Sequence, residues 1–276
     1  MYQNRYLRLN KRQSLKIGGA LRRRMKAEPI QYILGSAHFM GLEFKVTPEV
    51  LIPRPETEIL VETAIKLISS LVPSAVGETS PLRGGRPSSF VDILDLGTGS
   101  GCIAVSLAKM LPQARVSASD ISKAALKVAR SNACLHKVES RINFILSDLF
   151  THDACLAGSP LGEAEGRQAI RTTQYDLIVS NPPYIPDGEI DRLQPEIAYE
   201  PRLALEAGKD GLDFYRRIIP RAIGQLKQGG LLILEIGFGQ KQAIARMLDE
   251  CRGLSLKEVV RDYQGIERIV VAEKQL

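Results

Sequence analysis

The chain has 276 residues, of which 44% are hydrophobic, and it carries 37 Lys and Arg against 31 Asp and Glu. This composition is that of an ordinary globular protein and excludes disordered, collagen-like and disulfide-scaffold classes. No apolar run reaches the roughly 18–20 residues of a membrane helix, and the first residues lack the apolar stretch of a secretory signal, so we expect a cytoplasmic protein with no membrane partner.

The four cysteines are far apart, with no CxxC pair and no neighbouring histidine cluster. Structural metal sites and disulfide frameworks need closely spaced ligands or paired cysteines. We therefore expect no metal, and we predict that all four side chains are reduced thiols: Cys102, Cys134, Cys155 and Cys251.

All of the excess positive charge lies in the first 27 residues, which contain nine basic residues and no acidic one. The basic residues are Arg5, Arg8, Lys11, Arg12, Lys16, Arg22, Arg23, Arg24 and Lys26. The rest of the chain has 28 basic against 31 acidic residues, a net charge of −3. Three interpretations remain open for this basic arm: contact with RNA or the ribosome, a targeting segment, or the solvated face of a short helix.

The front part of the chain shows two different periodicities. Residues 30–52 are rich in β-branched and aromatic residues, and Leu42, Phe44 and Val46 alternate with polar partners, which predicts a short β-hairpin. Residues 55–71 place apolar side chains at helical spacing and predict a helix. Residues 73–89 are rich in Pro, Gly and Ser and predict a flexible linker.

From residue 90 onward, short apolar runs alternate with amphipathic helical stretches. The predicted strands are 91–96, 115–119, 142–146, 175–179 and 231–236, and the predicted helices are 102–111, 122–136 and 212–226. Strands that alternate with helices predict a parallel sheet covered on both faces. Residues 256–263 and 266–273 are joined by only two residues and must pair antiparallel.

The predicted fold class is therefore α/β, with a mostly parallel sheet and an antiparallel C-terminal edge hairpin. We divide the chain into an N-terminal region (1–72) with the basic arm, hairpin and helix, a linker (73–89), and a main domain (90–276). A Gly- and Ala-containing insertion at 151–173 is predicted to be a surface loop.

The segment DLGTGSG follows the first strand of the main domain directly and precedes a helix. Its glycines allow a tight turn and leave room for a ligand beside the unpaired N–H groups of the helix N-terminus. The G-x-G-x-G spacing and the leading aspartate disfavour a dinucleotide, whose pyrophosphate the carboxylate would repel. A cationic ligand such as S-adenosylmethionine fits, and a purely structural turn is the alternative. The candidate residues are Asp95, Gly97, Thr98, Gly99, Ser100 and Gly101.

Two further carboxylates stand at the predicted ends of the next strands. Asp120 is placed to hydrogen-bond ribose hydroxyls, or alternatively to cap the helix that starts near Ser122. Asp148 is placed to accept from an adenine amino group, with Leu149 beside the ring, or to form a loop turn.

The tetrapeptide Asn181-Pro182-Pro183-Tyr184 follows the strand YDLIVS. Two prolines cannot extend a strand ladder, and they stiffen the loop so that Asn181 and Tyr184 keep fixed directions. The side-chain oxygen of Asn181 and the carbonyl of Pro182 can accept N–H groups from a planar NH₂ group, while the Tyr184 ring can lie against its plane. This predicts a site that orients a conjugated amino group, with a rigid proline turn as the alternative.

Together these segments resemble the HemK/PrmC-type methyltransferases, which modify the glutamine of the Gly-Gly-Gln motif in class 1 peptide chain release factors. The resemblance runs through EPIQYILG (28–35), FMGLEFKVTPEVLIPRPETE (39–58), DILDLGTGSG (92–101), SNPPYIP (180–186), EPRLALEAGKDGLDFYRRII (200–219) and LEIG (234–237). It implies a class I, Rossmann-like fold, S-adenosylmethionine as methyl donor, and a release factor as protein substrate.

The resemblance also implies residue roles. Gly97 to Gly101, Asp120 and the pair Asp148 and Leu149 would bind the cofactor, and Asn181 to Tyr184 would hold the glutamine amide and act in catalysis. Arg54, Glu56, Thr57 and Glu58 would line the rim, or would only cap the helix that follows. The family usually carries several helices before the YILG segment, so the N-terminal region here resembles a shortened substrate-docking region.

Two other functions remain open. One is methylation of a ribosomal-protein glutamine or of an exocyclic amine in a nucleic-acid base, with nucleic acid contacted by the basic arm. The other is a non-catalytic binding factor that keeps the fold.

Overall fold

The structure, a computed structural model, describes residues 9–71, 90–152 and 174–275. The helices are α1 (Lys11–Arg24), α2 (Ile30–Leu34), α3 (Pro55–Leu71), α4 (Cys102–Met110), α5 (Lys123–Leu135), α6 (Asp213–Gln225) and α7 (Lys241–Glu250). The strands are β1 (Ser36–Phe39), β2 (Leu42–Lys45), β3 (Val91–Leu96), β4 (Ala114–Asp120), β5 (Ile142–Asp148), β6 (Thr151–His152), β7 (Tyr175–Ser180), β8 (Leu226–Glu235), β9 (Leu254–Arg261) and β10 (Glu267–Lys274).

The main sheet has the strand order β6-β5-β4-β3-β7-β8-β10-β9. Strands β5, β4, β3, β7 and β8 pair in parallel, and β10 pairs antiparallel with both β8 and β9. The prediction of a mostly parallel sheet with an antiparallel C-terminal hairpin is confirmed. The five parallel strands all end at one edge of the sheet, which we call the carboxyl edge.

Apolar clusters cover both faces of the sheet. Adjacent residues of β3 point to opposite faces, so that Ile93 packs with α3 and α4 while Leu94 packs with α6 and α7. Phe39 and Phe44 of the β1–β2 hairpin belong to the same cluster as Ile93. The front segment therefore shares a core with the sheet. The predicted linker, 73–89, lies outside the described residues, and the domain division stays a prediction.

The hairpin is shorter than the predicted stretch 30–52. Residues 30–34 form α2 instead of a strand, because Pro29 precedes the helix and Gly35 ends it in the left-handed conformation. The hairpin itself pairs Ser36 with Lys45 at one end and Phe39 with Leu42 at the other.

Three other elements depart from the prediction. Helix α7 was not predicted; it buries only Ile244 and Leu248, one turn apart, which is a weak periodic signal. Strand β8 begins at Leu226, five residues before its predicted start, so α6 leads directly into it. The insertion begins with β6, which pairs antiparallel with the end of β5, and residues 153–173 lie outside the described parts.

The described part of the basic arm forms α1, which starts with a capping box between Asn10 and Gln13 and buries none of its side chains. Arg24 at its end forms an ion pair with Glu196 at 2.6 Å, and the carbonyl of Lys26 accepts from the Tyr199 hydroxyl at 2.7 Å. These contacts fasten the arm beside the carboxyl edge, and its contact with nucleic acid stays a prediction.

Within the described ranges, no helix is long and apolar enough to cross a bilayer. The same residues contain no cluster of His, Cys, Asp and Glu suited to a metal ion, and Cys102, Cys134 and Cys251 are free. Cys155 lies outside the described residues.

Helices α4 and α5 approach each other closely at Gly101, which begins α4 in the left-handed conformation. A Cβ atom built on Gly101 would lie 2.9 Å from Cβ of Ala129 in α5. One turn further along α5, the buried Asn132 donates to the carbonyls of Ser100 and Lys45 at 2.8 and 3.0 Å. Helix α5 therefore fixes the glycine loop relative to the hairpin.

We expect Gly101→Ala to lower the free energy of unfolding more than Gly35→Ala. Both glycines have φ near +80°, but a Cβ atom meets nothing within 4 Å at Gly35. Left-handed strain costs about 1–2 kcal/mol at either position, and overpacking against Ala129 adds about 1–3 kcal/mol. Urea unfolding of both variants measures the difference, and equal losses would contradict the close approach.

Candidate active site

Most of the candidate residues predicted from the sequence meet at the carboxyl edge. Asp95 and Asp120 come from the ends of β3 and β4, and Asn181 follows β7 directly. Two hydrogen bonds join these ends: Gly99 N–H donates to Asp120 at 2.9 Å, and the Ser180 hydroxyl donates to the carbonyl of Leu96 at 2.8 Å. The parallel arrangement of the strands creates this convergence.

The glycine loop turns sharply over the end of β4. The N–H groups of Gly97 and Thr98 both donate to the Ser119 carbonyl at 2.9 Å. Gly97 and Gly99 have positive φ, and a Cβ atom built on either would meet nothing closer than 4.0 Å. In contrast to Gly101, these two glycines leave open space beside the backbone, where a ligand can lie against it.

Asp95 is fully buried beneath this loop. Its Oδ2 accepts from the Thr98 hydroxyl at 2.7 Å, whereas Oδ1 has no hydrogen-bond partner. Burial raises the pKa of Asp95 to about 7, although the Thr98 hydrogen bond favours the ionised carboxylate. A buried negative charge beneath this loop favours a positively charged group in the open space beside the glycines.

Asp120 uses its carboxylate to shape the loop. It accepts from Gly99 N–H at 2.9 Å and from Ser122 N–H at 2.8 Å. Ser122, and not Asp120, is the N-cap of α5, since its hydroxyl accepts from the N–H of Ala125. Because Ser122 is the N-cap, the alternative that Asp120 caps the helix is wrong. Burial raises the pKa of Asp120.

Asp148 and Leu149 lie at the end of β5. The Asp148 carboxylate pairs with Arg217 of α6 at 2.6 Å, a partner that the sequence did not indicate. Leu149 adopts a left-handed conformation with φ of 54° and lies nearly buried against the α6 side of the core. Their predicted contact with an adenine ring stays a prediction.

The Asn-Pro-Pro-Tyr loop is held from two sides. Asn181 donates from Nδ2 to the Thr57 hydroxyl at 3.0 Å, and Tyr184 accepts at its backbone carbonyl from Gln240 Nε2 at 2.9 Å. Burial raises the pKa of the Tyr184 hydroxyl well above its usual range. Among the described residues, Asn181 Oδ1 accepts no hydrogen bond, so it remains available to a ligand.

The four rim residues of PRPETE have different partners. Arg54 pairs with the buried Glu200 at 2.5 Å, and Thr57 accepts from Asn181. Glu58 accepts from the N–H of Met40 at 2.5 Å, which is a structural role at the hairpin, and Glu56 lines a cleft. The interpretation that all four only cap α3 does not account for the first two contacts.

A cleft of about 550 Å³ opens beside this loop. Asn181, Pro182, Pro183 and Tyr184 line it, together with side chains from residues 193–205. Residues from the end of α1 and the start of α2 also line it, among them Arg24 and Gln31. Asn181 therefore borders a cleft shared by the N-terminal helices and the segment that follows the Asn-Pro-Pro-Tyr loop.

Sequence analysis missed three residues that organise this edge. Glu235, at the end of β8, is buried, and burial raises its pKa to about 7. Glu200 accepts from Ile52 N–H as well as from Arg54. Gln240 also accepts from the N–H of Gly237 at 2.9 Å. A carboxylate inside the apolar run LLILEI was a visible signal for Glu235, whereas nothing in the local pattern marked Gln240.

The chain is similar to known methyltransferases. The family model described as a methyltransferase domain matches residues 88–260. A release factor glutamine methyltransferase from Geobacter sulfurreducens is 40% identical over 271 residues, which cover 98% of this chain and 82% of that protein. A protein of the same name from Moorella thermoacetica is 40% identical over 256 residues, covering 93% and 78%. A methyltransferase structure from Pyrococcus furiosus, 18% identical, covers 97% of this chain and 100% of its own with a TM-score of 0.54, which supports the fold.

We expect Asp95→Asn to stabilise the unliganded protein more at pH 8 than at pH 5. Burial raises the pKa of Asp95 from 3.8 to about 7. Between these values the folded state keeps a proton that the unfolded state loses, so wild-type stability falls as the pH rises and levels off above pH 7. The variant does not lose stability in this way, so its free energy of unfolding relative to the wild type rises by about 2 kcal/mol between pH 5 and pH 8. Chemical unfolding at both pH values measures it; a pH-independent difference would contradict the burial of charge.

Proposed function

This chain belongs to the family of release factor glutamine methyltransferases, and from that premise we propose that it methylates the side-chain amide nitrogen (N5) of the glutamine in the Gly-Gly-Gln motif of class 1 peptide chain release factors, in the cytoplasm. The observation that carries the proposal is the orientation of Asn181. Its Nδ2 is committed to Thr57, which leaves Oδ1 as an acceptor at the wall of the cleft.

An amide nitrogen needs orientation more than a base, because its lone pair is delocalised. Asn181 Oδ1 and the Pro182 carbonyl accept its two N–H groups, and the ring of Tyr184 lies against the amide plane. Holding the acceptor in one geometry contributes on the order of 7–11 kcal/mol in well-oriented reactions. Asn181, Pro182 and Tyr184 are therefore the proposed catalytic residues, with Pro183 as a further contact to the substrate.

The glycine loop is the proposed site of S-adenosylmethionine. Gly97 and Gly99 leave space along the backbone, and a positive charge there would stabilise the buried Asp95 carboxylate, one of whose oxygens is unpaired. Thr98, Ser100 and Gly101 complete the loop, Asp120 binds ribose, and Asp148 with Leu149 contacts adenine. Bound there, S-adenosylmethionine supplies an electrophilic methyl group: the amide nitrogen gains the methyl and releases one proton to water, and the sulfonium becomes a neutral thioether.

The cleft beside Asn181 is the proposed binding site for the release-factor segment that carries the glutamine. Arg54 and Glu56 at its rim supply both signs of charge near the main chain of that segment. An exocyclic base amine presents a similar planar NH₂ group, and the basic residues of α1 favour nucleic acid as the alternative acceptor class.

We expect purified protein to transfer labelled methyl from S-adenosylmethionine to a class 1 release factor, and not to the same factor with its Gly-Gly-Gln glutamine changed to alanine. Asn181→Ala lowers the rate at least about 100-fold because the acceptor loses its orientation. Asn143→Ala, on β5 and outside the cleft, is the matched control. Label on the glutamine-to-alanine factor, or on RNA in its place, would refute the proposed acceptor.

We expect the affinity for S-adenosylmethionine to weaken as the pH falls from 7 to 5.5. The cation favours ionised Asp95, whose pKa burial raises to about 7, so the Kd rises by up to about tenfold per pH unit below that value. Calorimetry in two buffers of different ionisation enthalpy also detects the released proton. The Asp95→Asn variant has a higher Kd at pH 7, and its Kd does not change between pH 7 and 5.5. A wild-type Kd that stays constant over the same pH range would count against the role of Asp95.

A further inference from the structure

Three side chains from distant parts of the sequence form a buried chain behind the Asn-Pro-Pro-Tyr loop. Asn181 donates from Nδ2 to the Thr57 hydroxyl at 3.0 Å. The Thr57 hydroxyl lies beside the carboxyl of Glu235 and favours its ionised form. Thr57 and Glu235 are 2% and 1% exposed, so water does not compete for these contacts.

Strand register brings the outer members of this chain together. Ser180 of β7 pairs with Leu234 of β8, so Asn181 and Glu235 are the next residues along adjacent parallel strands. Residues in register on neighbouring strands point to the same face of the sheet. Helix α3 packs on β7 and β8 and carries Thr57 in its first turn.

The hydroxyl of Thr57 gives this chain a direction. A threonine hydroxyl has one proton to donate and two lone pairs that accept. In its ionised form Glu235 can only accept, so it favours the rotamer of Thr57 that turns the hydroxyl proton towards the carboxylate and a lone pair of Oγ1 towards the N–H of Asn181. The amide of Asn181 therefore turns its nitrogen inward and its oxygen outward.

The opposite orientation of Asn181 would defeat the proposed recognition. With Oδ1 turned towards Thr57, Nδ2 would face the NH₂ group of the acceptor, and two donors would meet. An Asn side chain has no intrinsic preference between these orientations, since the two differ by a rotation of its terminal amide.

We propose that Thr57 is a positioning residue that keeps the oxygen of Asn181 directed at the acceptor amide. This inference rests on the proposed function, because it assigns Asn181 Oδ1 to a substrate N–H. It gives a role to the buried hydroxyl in the first turn of α3.

The test compares Thr57→Val, which removes the hydroxyl at nearly constant volume, with Thr57→Ser, which keeps it. Thr63→Val is the matched control, because Thr63 is a buried threonine of the same helix, about 9 Å further along its axis. We expect Thr57→Val to lower kcat for release-factor methylation on the order of 10- to 100-fold. The KM for the factor and the Kd for S-adenosylmethionine change less than about threefold, and Thr57→Ser restores most of kcat.

The side-chain amide signal of Asn181, assigned in the NMR spectrum by its loss in Asn181→Ala, gives a readout that does not depend on activity. We expect this signal to shift and its protons to exchange faster in Thr57→Val but not in Thr63→Val. If Thr57→Val does not fold, Thr57→Ala removes the same hydroxyl without adding bulk and replaces it in both measurements.

The outcomes separate the inference from the proposed function. A Thr57→Val protein with the kcat and the Asn181 amide signal of Thr63→Val would overturn the positioning role while release-factor methylation stands. Absence of methylation by the wild type would instead overturn the proposed function, and the amide signal would then decide the Thr57 contact by itself.

Discussion

Loss of water around carboxyl groups is the constraint that organises the carboxyl edge of this sheet. Asp95 and Glu235 are buried at the ends of β3 and β8, and each leaves one oxygen without a hydrogen-bond partner. Burial of an incompletely paired carboxylate is unfavourable, and it raises the pKa of both groups to about 7. Two such groups at one edge of the sheet lower the stability of the unliganded protein, in line with the proposed binding of a cation beside Asp95.

The loops around these carboxylates are rigid because single polar side chains tie several backbone segments together. Gln240 binds Gly237 N–H and the carbonyls of Tyr184 and Gly211. Glu200 holds Arg54 and the N–H of Ile52. Methylation of a weakly nucleophilic amide depends on placement within fractions of an ångström, and these contacts hold the loop that we propose to bind the acceptor.

Periodicity in the sequence predicted most of the fold. The apolar runs of β3 and β7 and the amphipathic pattern of α3 are strong signals, because buried parallel strands and half-buried helices each need them. Prediction failed where the signal is short. Residues 30–34 form a helix only because Pro29 and Gly35 bound it, and α7 buries just two side chains. The β8 start was missed since its first residues include two glycines, which are typical of a turn.

By itself, the sequence determined which chemical groups follow each central strand: Asp95 with the glycine loop, Asp120, Asp148 and the Asn-Pro-Pro-Tyr loop. Parallel strands end at one edge, so placement after a strand is enough to bring such groups near one another. Only the tertiary structure decided which other side chains contact these groups and the rim beside them. The contacts of Asn181 with Thr57 and of Arg54 with Glu200 span 124 and 146 residues. Contacts of this kind depend on strand register, helix packing and side-chain rotamers, which leave no periodic pattern in the chain.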